Sequence, residues 1–210
     1  MRQKAVGFYW TQPVPWAGFT RIDENDVDKA ASQSRTIRYQ REAVRRYARE
    51  DRFELIHEVA FLETEPDRGT LFIEGPLGRI APLCRQHDAV VLYVDFKILR
   101  GWRRNDALHA KAAELGLRLE PVRPDPLHLE DGLFDPRAHF ETWRQEQERW
   151  SGDKPARAAA ARARALELRE AGLKNPAIAR QLNAEGLLTL TGREWTADSL
   201  RKFLGGPAAG

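Results

Sequence analysis

Cysteine and methionine are almost absent from this sequence, with one of each among 210 residues. A single cysteine, Cys84, excludes an intramolecular disulfide and a cysteine-rich zinc site, and the five histidines show no spacing typical of metal ligands. No apolar run reaches the ~18 residues of a transmembrane helix, and the first residues show no secretory signal. We therefore expect a cytoplasmic protein without a membrane partner, a bound metal or another cofactor, in which Cys84 belongs to the core.

Charge of both signs is plentiful but unevenly distributed. The formal net charge is +3, yet residues 151–210 hold 10 Lys and Arg against 6 Asp and Glu, whereas the first 150 residues hold 24 against 25. A basic tail on a near-neutral body indicates a polyanionic partner for the tail, most often nucleic acid.

Alternating strand and helix patterns fill most of the first 125 residues. We assign residues 1–135, which include this region and the hairpin that follows it, to an α/β domain. The helix patterns cover 36–52, 75–87 with its first turn near Pro76, and 103–116. Asp131-Gly132 is expected to form a hairpin turn. This order predicts a parallel-rich sheet with flanking helices. The predicted strands are 4–10, 53–63, 88–96 and 117–122.

A connecting region at residues 136–156 is predicted to join this domain to a helical tail. It comprises a helix at 136–150 and a polar, turn-rich linker at 151–156. The tail domain at 157–210 follows, and its sequence pattern predicts three short helices. They cover 156–172, 175–183 with Asn175 as its N-cap, and 196–204 with Thr196 as its N-cap. A helix, a glycine turn and a second short helix make a helix-turn-helix plan.

The tail carries a spaced pattern of apolar, small and polar residues: Ile178-Ala179, Leu182-Asn183, Gly186, Thr189, Gly192 and Trp195-Thr196. In this pattern, residues 165–204 resemble the DNA-binding region of serine recombinases, particularly the larger members of that family. The resemblance implies that the tail binds double-stranded DNA and that the protein associates with the nucleoid. We expect Gly186 and Gly192 to permit tight connections, and Trp195 to fill the small core that Ala179 and Leu182 begin.

Short polar and basic side chains then remain for contacts with phosphates and base edges. The candidate DNA-binding residues are Lys174, Arg180, Thr189, Thr191, Arg193, Ser199, Arg201 and Lys202.

The body resembles the catalytic domain of the same family over residues 4–122. Thr36 stands in the serine place of a Ser-x-x-x-Gln helix in which Gln40 matches, and Asp95 ends a strand as in the family's arginine-rich segment. The resemblance implies a resolvase-type α/β fold and a homodimer that forms through a helix after the sheet. Phe140, Trp143 and Trp150 are candidates for that contact, although these aromatics could equally hold the linker region in place.

The catalytic residues of the family are degenerate in this chain. Its nucleophilic serine closes a Tyr-x-Arg-x-Ser run, which here reads Phe8-Tyr9-Trp10-Thr11-Gln12. Tryptophan replaces the arginine, glutamine replaces the serine, and strand alternation turns Thr11 to the other face. In the second cluster, Phe96 replaces the first arginine and Arg100 lies one residue beyond the second. We therefore expect a recombinase-like pseudoenzyme that binds DNA without strand exchange.

Two other functions stay open from the sequence. An active recombinase or DNA nickase would bring Ser32 or Ser34 to the arginines around Arg100, although Ser34 also suits the N-cap of the following helix. The weak catalytic candidates are thus Ser34, Arg100 and Thr11. A protein-interaction adaptor is the third possibility. The segment from 12 to 34 contains Trp16 and Phe19, which either pack on the domain, close over the former cleft, or meet a partner.

Overall fold

The computed structural model describes residues 2–63, 70–99 and 106–205, and the chain divides into two compact units. The first, named here the sheet unit, consists of Met1–Pro13 and Arg21–Glu141. The second, the tail unit, consists of Val14–Thr20 and Thr142–Gly210. The boundary after Glu141 falls inside the predicted connecting helix.

The described residues form strands and helices in the alternating order that the sequence predicts. The strands are β1 Gln3–Thr11, β2 Phe53–Leu62, β3 Val90–Val94, β4 Arg118–Val122, β5 Leu127–Leu129 and β6 Gly132–Phe134. The helices are α1 Val27–Gln33, α2 Arg35–Glu50, α3 Thr70–His87, α4 Asp106–Glu114, α5 Pro136–Gly152, α6 Lys154–Glu170, α7 Asn175–Ala184 and α8 Ala197–Gly205. None of the described helices combines the length and the apolar character needed to cross a membrane.

The main sheet has four parallel strands in the order β2-β1-β3-β4, which confirms the predicted α/β class. Successive side chains of a strand point to opposite faces, and β1 accordingly supplies two cores. Val6, Phe8 and Trp10 pack with apolar residues of α3 and α4 on one face. Ala5 and Tyr9 pack with residues of α1 and α2 on the other.

Helix α2 is joined to the end of β1 by a buried side chain. Gln40 is fully buried, its Nε2 donates to the carbonyl of Trp10 at 2.6 Å, and its Oε1 accepts from the Trp10 amide at 3.3 Å. The helix begins after Ser34, whose Oγ accepts a hydrogen bond from the Ile37 amide at 3.3 Å. The prediction that Ser34 caps this helix is confirmed.

Two local predictions in the sheet unit differ from the structure. Helix α3 begins at Thr70, so Pro76 lies inside it rather than in its first turn. A proline costs one helical hydrogen bond, but burial of Ile73, Leu77 and Ile80 on the sheet favours a continuous helix. Helix α1 was not predicted, because its sequence is mostly polar and only Ala30 and Ala31 are buried.

The hairpin prediction is confirmed, whereas the turns predicted at residues 151–156 are replaced by helix. Strands β5 and β6 pair antiparallel, with Gly132 in the left-handed region at φ 110°. Within residues 151–156, α5 ends at Gly152, α6 begins at Lys154, and Asp153 alone separates the two helices. The Asp153 amide donates to Arg149 and the Asp153 carbonyl accepts from Arg157, each at 3.0 Å. These bonds maintain the helical path, which local composition could not indicate.

Candidate nucleic-acid interface

The spaced pattern of the tail forms the core of the tail unit. Ile178 and Leu182 of α7 are fully buried, and they pack against Trp195, which is 6% exposed. The Trp195 ring lies 4.8 Å from that of Phe203 on α8. The prediction that Trp195 fills this core is confirmed, as are the three tail helices.

Asn183 holds the backbone of Trp195 from both sides. Its Oδ1 accepts from the Trp195 amide at 2.7 Å, and its Nδ2 donates to the Trp195 carbonyl at 3.0 Å. The indole Nε1 donates to the carbonyl of Leu187. Buried polar groups need such partners, and Asn183 supplies them for both backbone groups of Trp195.

Two glycines shape the connection between α7 and α8. Gly186 and Gly192 have φ of 73° and 78°, the left-handed region that favours glycine. Residues 189–193, called here the Gly192 turn, are closed by a bond from the Thr189 amide to the Arg193 carbonyl at 2.8 Å. Thr189 Oγ1 also accepts from the Arg193 amide at 3.0 Å. The predicted role of both glycines is confirmed.

Helix α8 begins with a reciprocal cap. Thr196 Oγ1 accepts from the Ser199 amide at 3.1 Å, and Ser199 Oγ accepts from the Thr196 amide at 2.9 Å. The Thr196 cap is thus confirmed. The prediction for Asn175 is wrong, because Lys174 occupies the N-cap position of α7 and no side chain caps that end.

The candidate DNA-binding residues fall into two groups. The side chains of Thr189 and Ser199 are half-buried, and their hydroxyls take part in the turn and the cap described above. Thr191 is exposed, and its hydroxyl lies 3.1 Å from that of Thr189. The basic candidates are all exposed at the surface of the tail unit: Lys174, Arg180, Arg193, Arg201 and Lys202.

Asp198 lies among these cations and pairs with two of them. Its carboxylate accepts from Arg201 and lies 2.9 Å from the ammonium of Lys202. Pairs this exposed contribute little stability, so both cations can turn toward a phosphate at small cost.

Two further tail arginines, which the sequence did not single out, bind within the tail unit. Arg164 of α6 donates two parallel hydrogen bonds to Glu185 after α7, at 2.7 and 2.9 Å. These bonds, with one from Gln181, lower the pKa of Glu185 to about 2. Arg162 donates to the carbonyl of Phe203 at 2.7 Å. Both arginines thus connect helices, a role that helical spacing alone does not reveal.

Trp16 also belongs to the tail unit. Its ring stacks on that of Trp150, with 6.0 Å between the centroids and 22° between the planes. Phe140, in the sheet unit, packs edge-on against Phe96 at 5.1 Å. Trp16 is therefore packed, although its partner is Trp150 rather than the sheet. Phe140 and Trp150 of the predicted stripe make internal contacts, and Trp143 is half-exposed.

At the end of β1, aromatic side chains pack against one another. Trp10 is 4% exposed, and its ring stacks with those of Phe61 and Tyr93 at 6.4 and 6.2 Å. Gln12 Nε2 lies 3.5 Å from a carboxylate oxygen of the buried Glu63. The position that the resemblance assigns to an arginine is thus part of the hydrophobic core.

Two of the weak catalytic candidates, Thr11 and Ser34, lie in the described part of the chain. Thr11 and Ser34 are 8% and 7% exposed, and Ser34 Oγ is the α2 cap. Among the described residues, neither hydroxyl has a hydrogen bond to an arginine. Arg100 lies outside the described residues, as do Arg103 and Arg104. Cys84 is buried in the sheet core as predicted, and burial raises the pKa of its thiol.

Comparisons with protein-family models, with curated proteins and with solved structures give no match to this chain. The resemblance to serine recombinases therefore stays a prediction from the residue pattern.

Proposed function

We propose that this chain is a serine-recombinase-like DNA-binding protein whose tail unit grips a duplex and whose sheet unit does not exchange strands. One observation carries the proposal. The members of the spaced tail pattern serve the fold, as core residues, left-handed glycines, a turn and a cap. The basic residues around them stay exposed, which is the arrangement that phosphate binding needs.

The cations lie on three parts of one small unit. Lys174 and Arg180 belong to the start and the middle of α7, Arg193 to the Gly192 turn, and Arg201 and Lys202 to α8. Each phosphate that a cation neutralises releases counterions, and the logarithm of affinity falls by about 0.9 per contact for each tenfold rise in salt. Five contacts would give a slope near −4.5 by this relation.

The packing of Trp10 supports the loss of strand exchange. Phosphoryl transfer needs donors directed at the charge that develops on the phosphate oxygens, and loss of one such donor costs about 3–4 kcal/mol of barrier. Trp10 offers no donor there because its ring lies within the sheet core. Gln12, in the place of the nucleophile, has no hydroxyl.

We also propose a homodimer, in which two tail units bind two halves of a DNA site. Trp143 is the stripe residue that the described contacts leave on the surface of α5, so it is the candidate for that interface. Light scattering of the wild type and of Trp143→Ala tests this. The wild type should have twice the mass of one chain, and the variant should dissociate into monomers at a higher protein concentration than the wild type does.

DNA binding is tested by fluorescence anisotropy with random-sequence duplexes over a series of salt concentrations. Arg193→Gln and Lys202→Gln should each weaken binding and reduce the salt slope by about 0.9. Arg137→Gln removes an exposed cation of the sheet unit and is the matched control. Binding that stays constant as salt rises would contradict the proposal and favour a protein-interaction adaptor.

Loss of cleavage is tested on nicked suicide substrates, with covalent protein–DNA adducts as the readout. The wild type should form none. Ser34→Asp keeps an N-cap acceptor for α2 while it removes the hydroxyl. An adduct that forms with the wild type and disappears with Ser34→Asp would establish the nickase instead.

A further inference from the structure

The tail unit contains a segment from the far end of the chain, and we propose that this segment positions the DNA-binding turn. The residues are Val14–Thr20, called here the Trp16 segment. Trp16 is then a positioning residue, which acts on DNA through Arg193 and touches no DNA itself. The inference rests on the proposed DNA binding of the tail unit.

The Trp16 segment has a closed backbone of its own. The amide of Val14 donates to the Phe19 carbonyl at 2.7 Å, and the amide of Phe19 donates back at 3.1 Å. Between them, Pro15–Ala17 form one 3-10 turn that ends at Gly18 in the left-handed region, φ 76°. The segment can therefore present Trp16 in one defined orientation.

Trp16 lies directly on the backbone of the Gly192 turn. A Cβ atom added to Gly192 would lie 2.5 Å from the Trp16 amide nitrogen and 2.6 Å from its Cα, so only glycine fits. Gly192 is buried, yet its neighbours Thr191 and Arg193 are exposed. Trp16 thus covers the backbone of the turn and leaves the candidate DNA contacts accessible. This geometry favours support of the site over occlusion of it.

The ring of Trp16 packs near the junction of α5 and α6. Its ring stacks on Trp150, and the guanidinium of Arg157 lies 3.3 Å from the centroid of a Trp150 ring. Arg157 also donates to the Trp150 carbonyl. Stacked arginine and tryptophan attract each other through the ring quadrupole. These contacts connect the Gly192 turn to two long helices through Trp16.

Support of this kind matters because the Gly192 turn has a closed backbone but few apolar side chains. A cation that is already oriented loses less conformational entropy when it binds a phosphate. Arg193 closes the turn through its backbone amide and carbonyl, so the placement of the turn determines where its guanidinium can reach. Trp16→Ala keeps the atoms that contact Gly192 but removes the ring that stacks on Trp150. The segment then loses its attachment to α5, and we expect Arg193 to lose its fixed relation to the cations of α8.

The test is a double-mutant cycle in the full chain, with duplex affinity measured over a salt series. Trp16→Ala should weaken binding about five- to tenfold and reduce the salt slope by about 0.9, as Arg193→Ala does. The double variant should bind within about twofold of Arg193→Ala alone, because coupled residues are not additive. Trp16→Phe, which keeps a ring for Trp150, should recover most of the affinity. Leu133→Ala, which removes an exposed apolar side chain from the sheet unit, is the control.

Each other outcome has a definite meaning. Additive effects in the double variant, or Trp16→Ala with unchanged affinity, would overturn the positioning role and leave DNA binding standing. Tighter binding by Trp16→Ala would show occlusion instead and also overturn it. A wild type that binds no duplex overturns both the proposed function and this inference. Circular dichroism melts of every variant identify any loss that comes from unfolding.

Discussion

Asn183→Ala should destabilise the tail unit far more than any other single polar truncation on α7. The change removes the acceptor for the Trp195 amide and the donor for the Trp195 carbonyl, at 2.7 and 3.0 Å. Trp195 is only 6% exposed, so both backbone groups lose their partner in a nearly dry site. An unsatisfied buried group costs about 1–3 kcal/mol. Because Asn183 is itself half-buried and some water can enter, we expect about 2–4 kcal/mol for the pair.

Hydrogen exchange measured by mass spectrometry on the full chain reports the loss of stability for each segment separately. Protection of the α7 amides should fall about 30- to 700-fold, at tenfold per 1.4 kcal/mol, while the strands of the sheet unit keep theirs. Gln181→Ala removes an exposed amide of the same helix that donates to Glu185, and it should change protection less than threefold. A fall of less than threefold for Asn183→Ala would show that the two bonds do not hold the tail core together.

Three further predictions concern titratable groups. Burial raises the pKa of Tyr9 well above its usual value and those of Tyr47 and Tyr93 to about 12. The folded state therefore favours the neutral phenols. The resulting stabilisation is present below the unfolded pKa of ~10 and is lost as pH rises through the pKa values of the folded protein. Absorbance at 295 nm should accordingly rise at higher pH in the native protein than in guanidinium, and coincident curves would contradict this. The hydrogen bonds from Arg164 lower the pKa of Glu185 to about 2. Their stabilisation is therefore present above the unfolded pKa and is lost as pH falls from ~4.5 toward 2. Protection of the α7 amides from hydrogen exchange should decline over that range in the wild type and much less in Glu185→Gln. Cys84 is buried with a raised pKa, so an aromatic disulfide reagent should label it only at the rate of unfolding, and labelling within seconds at pH 8 would refute the burial.

The tail unit shows which features of a fold can be predicted from the pattern of residue types. Thr196, Gly186 and Gly192 were predictable because a cap and a left-handed backbone each restrict the residue types allowed. The core role of Trp195 was predictable because its neighbours on α7 recur at helical spacing. The bonds of Asn183 were not, because they join residues twelve positions apart across a turn whose path no local signal specifies.

The sheet unit shows a different limit. The alternating pattern predicted β1 to β4 because parallel strands covered on both faces are nearly continuous apolar runs. The sequence places the start of α3 near Pro76 because proline is typical of a first helical turn, whereas burial of the helix on the sheet keeps it continuous around that proline. Residues 151–156 are predicted to be turn-rich because Ser, Gly, Asp and Pro dominate their composition, yet helix lies on both sides of Asp153. The partner of Trp16 was beyond prediction, since nothing near residue 16 indicates contact with residues 150 and 192.

The tail unit combines a strip of chain around residue 16 with one around residue 192. Gly192 follows Trp16 by 176 positions, and a ribosome adds about 5–20 residues per second, so Trp16 waits roughly 9–35 s for its partner to exist. Trp150, on which the indole stacks, follows Trp16 by only 134 positions, so the contact with Gly192 is the later of the two to become available. Transplanting residues 157–210 onto another protein would carry the cations along but leave that early strip behind.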